Sequence, residues 1–132
     1  MVKTIPKLCV LLALLAGAAA AGKPIPDCRF DHLGVAEGLS ESAVTAINQD
    51  SRGFIWIGTH DGLNKYDGYT FTVYRNQPGN PDSLSDNAVS TLCEDRDGML
   101  WVGTIGGGLT SFDPNRETFS RPRLAGRNPV ET

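Results

Sequence analysis

A glycine-rich loop at residues 103–108 is one part of the sequence that could do chemistry, because such loops can cradle phosphate groups. The loop lacks the Lys-Ser/Thr ending of a P-loop, and no helical pattern follows it. Residues 58–63 occupy the same place after a similar strand, without the run of glycines. We therefore interpret the loop as a connection between strands and not as a nucleotide site.

Residues 95–98 (Asp-Arg-Asp-Gly) resemble the opening of a calcium loop, in which carboxylates supply oxygen ligands. An EF-hand requires a glutamate at its twelfth position, and Gly106 stands there when counting starts at Asp95. The similar turn that begins at Asp50 has no middle carboxylate. The pattern favours a hairpin turn in which aspartate accepts hydrogen bonds from the turn backbone. We predict no metal and no cofactor.

His60 and Asp61 form a polar pair that could bind a ligand, although a solvated loop histidine is the competing interpretation. No Ser-His-Asp set and no pair of carboxylates has a spacing that these short segments could bring together for catalysis. The sequence therefore predicts no catalytic residues and a protein that is not an enzyme.

The phrase that contains these residues occurs twice in the chain. Three pairs of repeat markers are 45 residues apart: Trp56 and Trp101, Gly58 and Gly103, and Asp50 and Asp95. One additional glycine after Thr104 lengthens the offset to 46, so that Leu63 corresponds to Leu109. An internal repeat of about 40 to 50 residues is typical of β-propeller blades.

Turn residues divide the first repeat into four short strands, VTAINQD, FIWIG, LNKY and YTFTVY. FIWIG is apolar on both faces, as expected of a strand that lies between two layers. We predict that Trp56 and Trp101 pack between blades, with sugar stacking as the alternative. Four antiparallel strands form a blade, so the predicted fold is all-β, with two four-stranded antiparallel blades of an incomplete β-propeller.

The ordered set of Gly-Leu-Ser, Val-x-x-Ile, Asp-x-x-Gly-x-Ile-Trp-Ile-Gly-Thr and Asp-Gly-Leu-Asn-x-Tyr-Asp resembles the two-component regulator propeller repeat. The resemblance covers about residues 30–119. It implies the periplasmic sensor region of a hybrid two-component histidine kinase or of a propeller-linked diguanylate cyclase. It also implies a small-molecule ligand, with carbohydrate breakdown products as the familiar class, and a dimeric parent in the inner membrane of a Gram-negative bacterium.

In such a propeller, the loop that holds His60 and Asp61 shares a rim with the connections that enter the first strands. Those connections contain Ser40 and Asn87. Because this rim meets the central channel, we expect these four residues to be the candidates for ligand binding. Two alternatives stay open: a fragment of a secreted propeller enzyme acting on polysaccharide, and a purely structural or protein-interaction propeller.

Residues 1–21 have the pattern of a helical signal peptide that precedes the fold. Lys3 and Lys7 are followed by an apolar run that ends in small residues, with Ala18 and Ala20 fitting the cleavage pattern. An uncleaved membrane anchor is the alternative, but the run is short for a span. We predict export to the periplasm. The net charge of −3 argues against a nucleic-acid partner.

Only Cys28 and Cys93 follow the predicted signal peptide. Both could pair in an oxidising compartment. Cys93 lies within a predicted strand, where a buried free thiol acts as a small hydrophobe. We favour two unpaired cysteines.

The predicted organisation is a lead-in at residues 22–38, repeats at 39–82 and 83–120, and an inter-blade linker at 121–132. Residues 30–33 resemble the outer strand of a distant last blade. Closed propellers have about four to eight blades, so we expect the remainder of the propeller and any output domain to lie outside this sequence. Because repeats are stabilised by their neighbours, we also expect no cooperative thermal transition from the mature chain as a monomer.

Overall fold

The computed structural model describes residues 22, 24 and 26–122 of the chain. Two compact units are distinguished, Met1–Asp31 and His32–Thr132. The described residues of the first unit form no helix or strand. The predicted signal peptide at residues 1–21 and most of the predicted linker at 121–132 lie outside the described residues.

Blade 1 is a four-stranded antiparallel sheet. Its strands are β1 (Val44–Gln49), β2 (Ile55–Thr59), β3 (Gly62–Tyr66) and β4 (Phe71–Tyr74). They pair in chain order, each strand with the next along the sequence. Each strand overlaps one of the four segments that turn residues separate in the sequence, and its ends differ from the predicted ones by at most two residues.

Blade 2 repeats this architecture with β5 (Val89–Glu94), β6 (Leu100–Thr104), β7 (Gly108–Asp113) and β8 (Thr118–Ser120). Its strands also pair antiparallel in chain order. Both first strands carry a register shift, between Val44 and Ala46 and between Val89 and Thr91. The prediction of an all-β fold with two four-stranded blades is confirmed, and within residues 26–122 the 3₁₀ turn Val35–Glu37 is the only helical element.

Residues 30–33, which resemble an outer strand in the sequence, are not assigned to any strand. A strand needs a neighbour with which to form backbone hydrogen bonds. Phe30 is exposed.

The hydrophobic core lies between the two blades. Trp56 and Leu63 on one face of blade 1 are fully buried against blade 2. Blade 2 contributes side chains that all point to the same face of its sheet: Val89, Leu100, Val102, Phe112 and Phe119. The Trp56 and Phe112 rings meet edge to face with centroids 5.2 Å apart, a favoured arrangement for aromatic pairs.

Tyr74 is the core residue that the sequence pattern misplaces. The alternation of Tyr69, Phe71 and Val73 marks the opposite face of the fourth strand as apolar. In the structure Tyr69 lies in the β3–β4 turn and is 91% exposed, whereas the Tyr74 ring packs 5.2 Å from Phe112. The turn takes Tyr69 out of the strand because the Asp67 carboxylate accepts hydrogen bonds from the N–H groups of Tyr69 and Thr70.

Cys93 corrects another expectation. It is exposed, and not buried as its position within a strand suggests. Cys93 pairs with Trp101 across β5 and β6, on the face of blade 2 that points away from blade 1. The corresponding residue of blade 1, Asn48, points toward blade 2 and is half-buried.

Candidate functional site at the blade rim

The rim consists of the turns at residues 60–61 and 105–107 and of the segments 39–43 and 84–88 that lead into β1 and β5. Thr59 organises the rim of blade 1. Its hydroxyl lies 2.8 Å from Ser40 Oγ, donates to the Gly62 carbonyl at 3.2 Å and accepts from the Asp61 N–H at 3.0 Å. A buried threonine therefore closes the β2–β3 turn and ties it to the segment that enters β1.

Thr104 does the same in blade 2. Its hydroxyl lies 3.2 Å from Ser85 Oγ, donates to the Gly108 carbonyl at 3.0 Å and accepts from the Gly107 N–H at 3.1 Å. A Cβ on Gly107 would come within 2.6 Å of the Ser85 backbone carbon. The glycine run thus lets the turn lie directly on the segment that contains Ser85. This close packing accounts for the glycines, and no bound phosphate is needed to explain them.

Ser40 is held by side chains of its own blade. Its N–H donates to Asn64 Oδ1 at 2.9 Å, and its hydroxyl accepts from Asn64 Nδ2 at 2.9 Å. Asn64 is fully buried. The sequence places Ser40 on the rim correctly, but it gives no sign that the hydroxyl has two protein partners.

Asn87 joins the two blades. Its side-chain oxygen accepts from the Asn76 N–H at 2.7 Å, and its carbonyl accepts from the Gly62 N–H at 2.8 Å. Because Gly62 begins β3 and Asn87 leads into β5, this residue fixes the rim of one blade against the next. A ligand that used Asn87 would have to compete with these contacts.

Asp61 forms an ion pair with Arg75, with Asp61 Oδ2 and Arg75 Nη2 2.8 Å apart. The hydrogen bond from Arg75 holds the pKa of Asp61 below its ordinary value. Both side chains are close to half exposed. Exposed ion pairs of this kind contribute little to stability, so a ligand with matching polar groups could displace one partner at small cost.

His60 is the most accessible of the four candidates. Its N–H donates to the Glu41 carboxylate at 3.0 Å, which fixes the backbone, and the residue itself is exposed. The structure thus brings Ser40, His60, Asp61 and Asn87 to one rim, with Ser40 and Asn87 braced by protein contacts. His60 and Asp61, with Glu41 and Arg75 beside them, form the part that could still contact a ligand.

At the opposite end of each blade, an aspartate holds the blade's tryptophan. Asp50 Oδ2 accepts from Trp56 Nε1 at 2.9 Å, and Asp95 Oδ2 accepts from Trp101 Nε1 at 2.8 Å. The other oxygen of each carboxylate accepts from two N–H groups of the β-turn that follows it. Both oxygens of each carboxylate thus accept hydrogen bonds from the protein. This role in the turn accounts for the Asp-x-x-Gly pattern, and no bound cation is needed to explain it.

Both aspartates favour the ionised form. Burial alone would raise the pKa of Asp50, but the hydrogen bonds from Trp56, Phe54 and Arg52 outweigh it and hold the pKa below its ordinary value of 3.8. The bond from Trp101 lowers the pKa of Asp95 in the same way. A carboxylate whose pKa is lower in the folded state stabilises the fold above its unfolded pKa, and this contribution is lost as the pH falls through the folded pKa.

We expect Asp50→Asn to lower the free energy of unfolding at pH 7 by about 1.5–3 kcal/mol, since the amide has only one oxygen for several donors. The variant should also lose part of the acid sensitivity that the wild type shows below about pH 4. Urea titrations between pH 2 and 7, followed by circular dichroism, measure both effects. Asp95→Asn is the matched control, with a smaller loss because the Trp101 side of blade 2 is exposed. If the stability of Asp50→Asn fell with acid as the stability of the wild type does, Asp50 would not be a carboxylate whose ionised form stabilises the fold.

A cleft of about 340 Å³ on the outer side of the blades is a second place for a ligand, which the sequence does not reveal. It lies between β4, β8 and the β4–β5 connection, and its polar lining includes Arg75, Gln77 and Asp82. Glu117 contacts Tyr74 Oη at 3.4 Å and Lys65 Nζ at 3.3 Å. Burial, reinforced by the Glu117 charge, raises the pKa of Tyr74 to about 12, so its phenol stays protonated.

Within residues 26–122, no helix has the length and apolar character that crossing a membrane requires. In the same part of the chain, no three side chains of the types that ligate metals converge.

Comparison with known proteins finds similarity to one family of sequence repeats. Residues 38–61 and 83–106 match the sequence model of the two-component regulator propeller. A 47-residue stretch, 36% of this chain, is 55% identical to histidine kinase P4 of Formosa agariphila, of which it covers 3%.

Two solved structures resemble the fold. The extracellular domain of a hybrid two-component system protein of Bacteroides thetaiotaomicron is 33% identical, with a TM-score of 0.63 over 68% of this chain and 13% of that chain. The extracellular domain of a one-component system protein of the same species is 22% identical and has a TM-score of 0.52, over 70% of this chain and 14% of that chain. This second likeness shows the fold alone. The chain therefore spans a small part of each relative. Two segments match repeats of the two-component regulator propeller, residues 38–61 and 83–106. Each segment begins before the first strand of its blade and ends in the turn after the second strand.

Proposed function

We propose that this chain is part of the exported, ligand-sensing input region of a two-component signalling protein, and that it has no catalytic role of its own. The observation that carries the proposal is the pair of regulator propeller repeats, together with 33% identity to the extracellular domain of a hybrid two-component system protein. The similarity to a histidine kinase supports the same interpretation. A kinase or cyclase output would reside in a longer parent.

In this proposal the parent is a dimer anchored in the inner membrane, with the propeller in the periplasm. The 33% identity to an extracellular domain supports an exported location. Further blades would complete the propeller around the two seen here, because closed propellers need about four to eight.

The ligand we propose is a small, polar, carbohydrate-derived molecule that binds at the rim. His60 is exposed there, and the Asp61–Arg75 pair offers a carboxylate and a guanidinium at the surface. Hydroxyl-rich ligands are recognised by such groups through several hydrogen bonds at once. The exposed pair can open to bind them, because its two charges interact weakly in water.

The first test is to sequence the transcript beyond the codon for Thr132 and to express the complete parent. We expect further regulator propeller repeats, a membrane span and a kinase or cyclase domain in frame. A transcriptional reporter downstream of the parent should then respond to at least one enzymatic digest of starch, pectin or laminarin. A parent that cleaves these polymers itself would instead support the propeller-enzyme alternative.

The second test assigns the site in that complete parent. His60→Ala and Asp61→Ala should reduce the reporter response, with the half-maximal ligand concentration raised about tenfold or more, as expected for the loss of a charged or polar contact. Tyr69→Ala is the control, since Tyr69 is exposed in a turn at the other end of blade 1. If Glu117→Ala abolished the response and the rim variants did not, sensing would stand and the site would be the outer cleft.

A further inference from the structure

The outer cleft lies between the two blades and is lined by residues from both of them. Residues 73–83, which run from β4 into the β4–β5 connection, form one wall, and residues 117–119 at the start of β8 form the other. The volume of about 340 Å³ is in the range of sites that hold small molecules. The cleft is therefore large enough for one small ligand, and both of its walls lie within the described part of the chain.

Glu117, on the second wall, has a backbone conformation that is unfavourable for any residue with a Cβ. Its φ is 53°, and it is the only residue other than glycine with a positive φ among the described residues. The corresponding turn of blade 1, residues 67–70, has Gly68 as its left-handed residue, with a φ of 97°. Glycine adopts this conformation freely, so turn geometry alone favours glycine at position 117. Backbone strain of this kind is concentrated at functional sites.

The contacts that Glu117 makes within the protein are weak. Its Oε1 accepts from Lys65 Nζ at 3.3 Å and from Tyr74 Oη at 3.4 Å, and both distances are long for hydrogen bonds to a carboxylate. Its Oε2 has no partner among the described residues, and the side chain is 59% exposed. Because exposed ion pairs contribute little to stability, these contacts do not account for a glutamate at a strained position.

Other polar groups that line the cleft include both acceptors and donors without a partner among the described residues. The Asp82 carboxylate accepts no hydrogen bond from them. Gln77 Oε1 accepts from Asn80 Nδ2 at 2.8 Å, which leaves the Gln77 amide donors unused. Arg75 donates to Asp61 through Nε and Nη2, which leaves its Nη1 unused. A hydroxyl group suits such a lining because it both donates and accepts, whereas an ammonium group only donates and a carboxylate only accepts.

We propose that the outer cleft is a binding site for a neutral monosaccharide, and that the Glu117 carboxylate recognises it by accepting hydrogen bonds from two neighbouring hydroxyl groups. On the opposite wall, the Asp82 carboxylate accepts from a further hydroxyl and the Gln77 amide donates to one. Two carboxylates in one cleft repel an acidic ligand, and Lys65 already supplies an ammonium group to Glu117. This site is separate from the rim, and the inference does not rest on the proposed sensing function.

The test is a titration of the isotope-labelled 132-residue chain with glucose, galactose and mannose, one at a time, followed by NMR. We expect at least one sugar to shift the backbone amide signals of Gln77, Asp82 and Thr118 in a saturable manner, with a Kd in the millimolar range or lower. The signal of Tyr69, which lies outside the cleft, should not move. Saturable shifts confined to residues 60–61 would place the sugar at the rim and overturn the proposal, as would the absence of saturable shifts with all three sugars.

The uronic acids of the same three sugars are the matched controls for ligand charge. Each carries a carboxylate in place of the hydroxymethyl group of its parent sugar. The Glu117 and Asp82 carboxylates repel this charge, so we expect a Kd about tenfold higher or more at low salt, with part of the difference lost at high salt. An acid that binds as tightly as its parent sugar, or more tightly, would overturn the assignment of a neutral ligand.

Variants at position 117 separate binding from folding. Glu117→Gly removes the carboxylate and the strain together, so we expect a Kd raised about tenfold or more and a urea midpoint no lower than that of the wild type. Glu117→Ala keeps the strain, and it should bind as weakly as Glu117→Gly but unfold at a lower urea concentration. Arg116→Ala, in the same turn but outside the cleft lining, should bind like the wild type. Unchanged binding by Glu117→Gly would overturn the role of Glu117, and a Glu117→Gly chain less stable than Glu117→Ala would show that the glutamate serves the fold instead.

Discussion

Trp56→Ala is expected to lower the free energy of unfolding by about 3–5 kcal/mol, the usual range for removing a fully buried aromatic side chain. Trp56 has no exposed surface and fills the space between the two sheets, with the Phe112 and Tyr74 rings 5.2 and 6.0 Å away. Its loss would also leave the Asp50 carboxylate without the indole donor. A urea titration followed by far-ultraviolet circular dichroism measures the effect as a lower urea midpoint for the loss of sheet structure, a quantity that depends neither on tryptophan fluorescence nor on a cooperative thermal transition.

Trp101→Ala is the matched control, because it removes the same side chain from the same place in the other repeat. We expect less than about half the loss, since Trp101 is only half-buried in the chain. Should Trp56→Ala fail to fold, Trp56→Phe gives a smaller loss of the same sign. Equal losses for Trp56 and Trp101 would contradict the placement of the core.

The sequence predicts the fold well because the repeat supplies the same information twice. Asp67-Gly68 and Asp-x-x-Gly identify turns from chemistry that acts over three or four residues. Within the apolar run FIWIG, the two-residue period of a strand then places successive side chains on opposite faces of the sheet. Two matching copies of such local signals suffice for eight strands in the correct order.

Contacts across blades are less visible in the sequence. Tyr74 packs between sheets because the β3–β4 turn begins earlier than the alternation suggests, and that turn depends on the Asp67 carboxylate. Cys93 is exposed because its face of blade 2 has no neighbour among the described residues. Exposure of this kind depends on the number of blades, which the residues of a single strand do not encode.

In the candidate site, too, the sequence predicts where residues lie but not which partners they contact. Ser40, His60, Asp61 and Asn87 do share one rim, as the order of strands requires. The sequence cannot show that Asn64 and Thr59 occupy the Ser40 hydroxyl, or that Asn87 holds the backbone of Asn76. Hydroxyl and amide groups have no periodicity that reveals their partners, so polar residues that brace a turn look like polar residues that bind a ligand.

Gly58 gives the second large effect, because a methyl group at this position would collide with the neighbouring blade. A Cβ on Gly58 would lie 2.5 Å from Cγ1 of Val89 and 3.1 Å from its Cβ. Val89 is fully buried in the core, so it cannot move aside without opening the interface. We expect Gly58→Ala to lower the free energy of unfolding by about 2–3 kcal/mol, within the range for overpacking a core.

Gly103→Ala separates this clash from the general effect of adding a side chain to the second strand of a blade. There the nearest atom is Cγ2 of Thr91, also at 2.5 Å, but Thr91 is exposed and belongs to the same sheet. Its side chain can rotate away, so the loss should be below about 1 kcal/mol. Combining Gly58→Ala with Val89→Ala should cost less than the sum of the two single changes, by about 1 kcal/mol or more, because the smaller side chain makes room. Strict additivity in that double-mutant cycle would mean that Gly58 is required for the strand itself and not for the approach of the next blade.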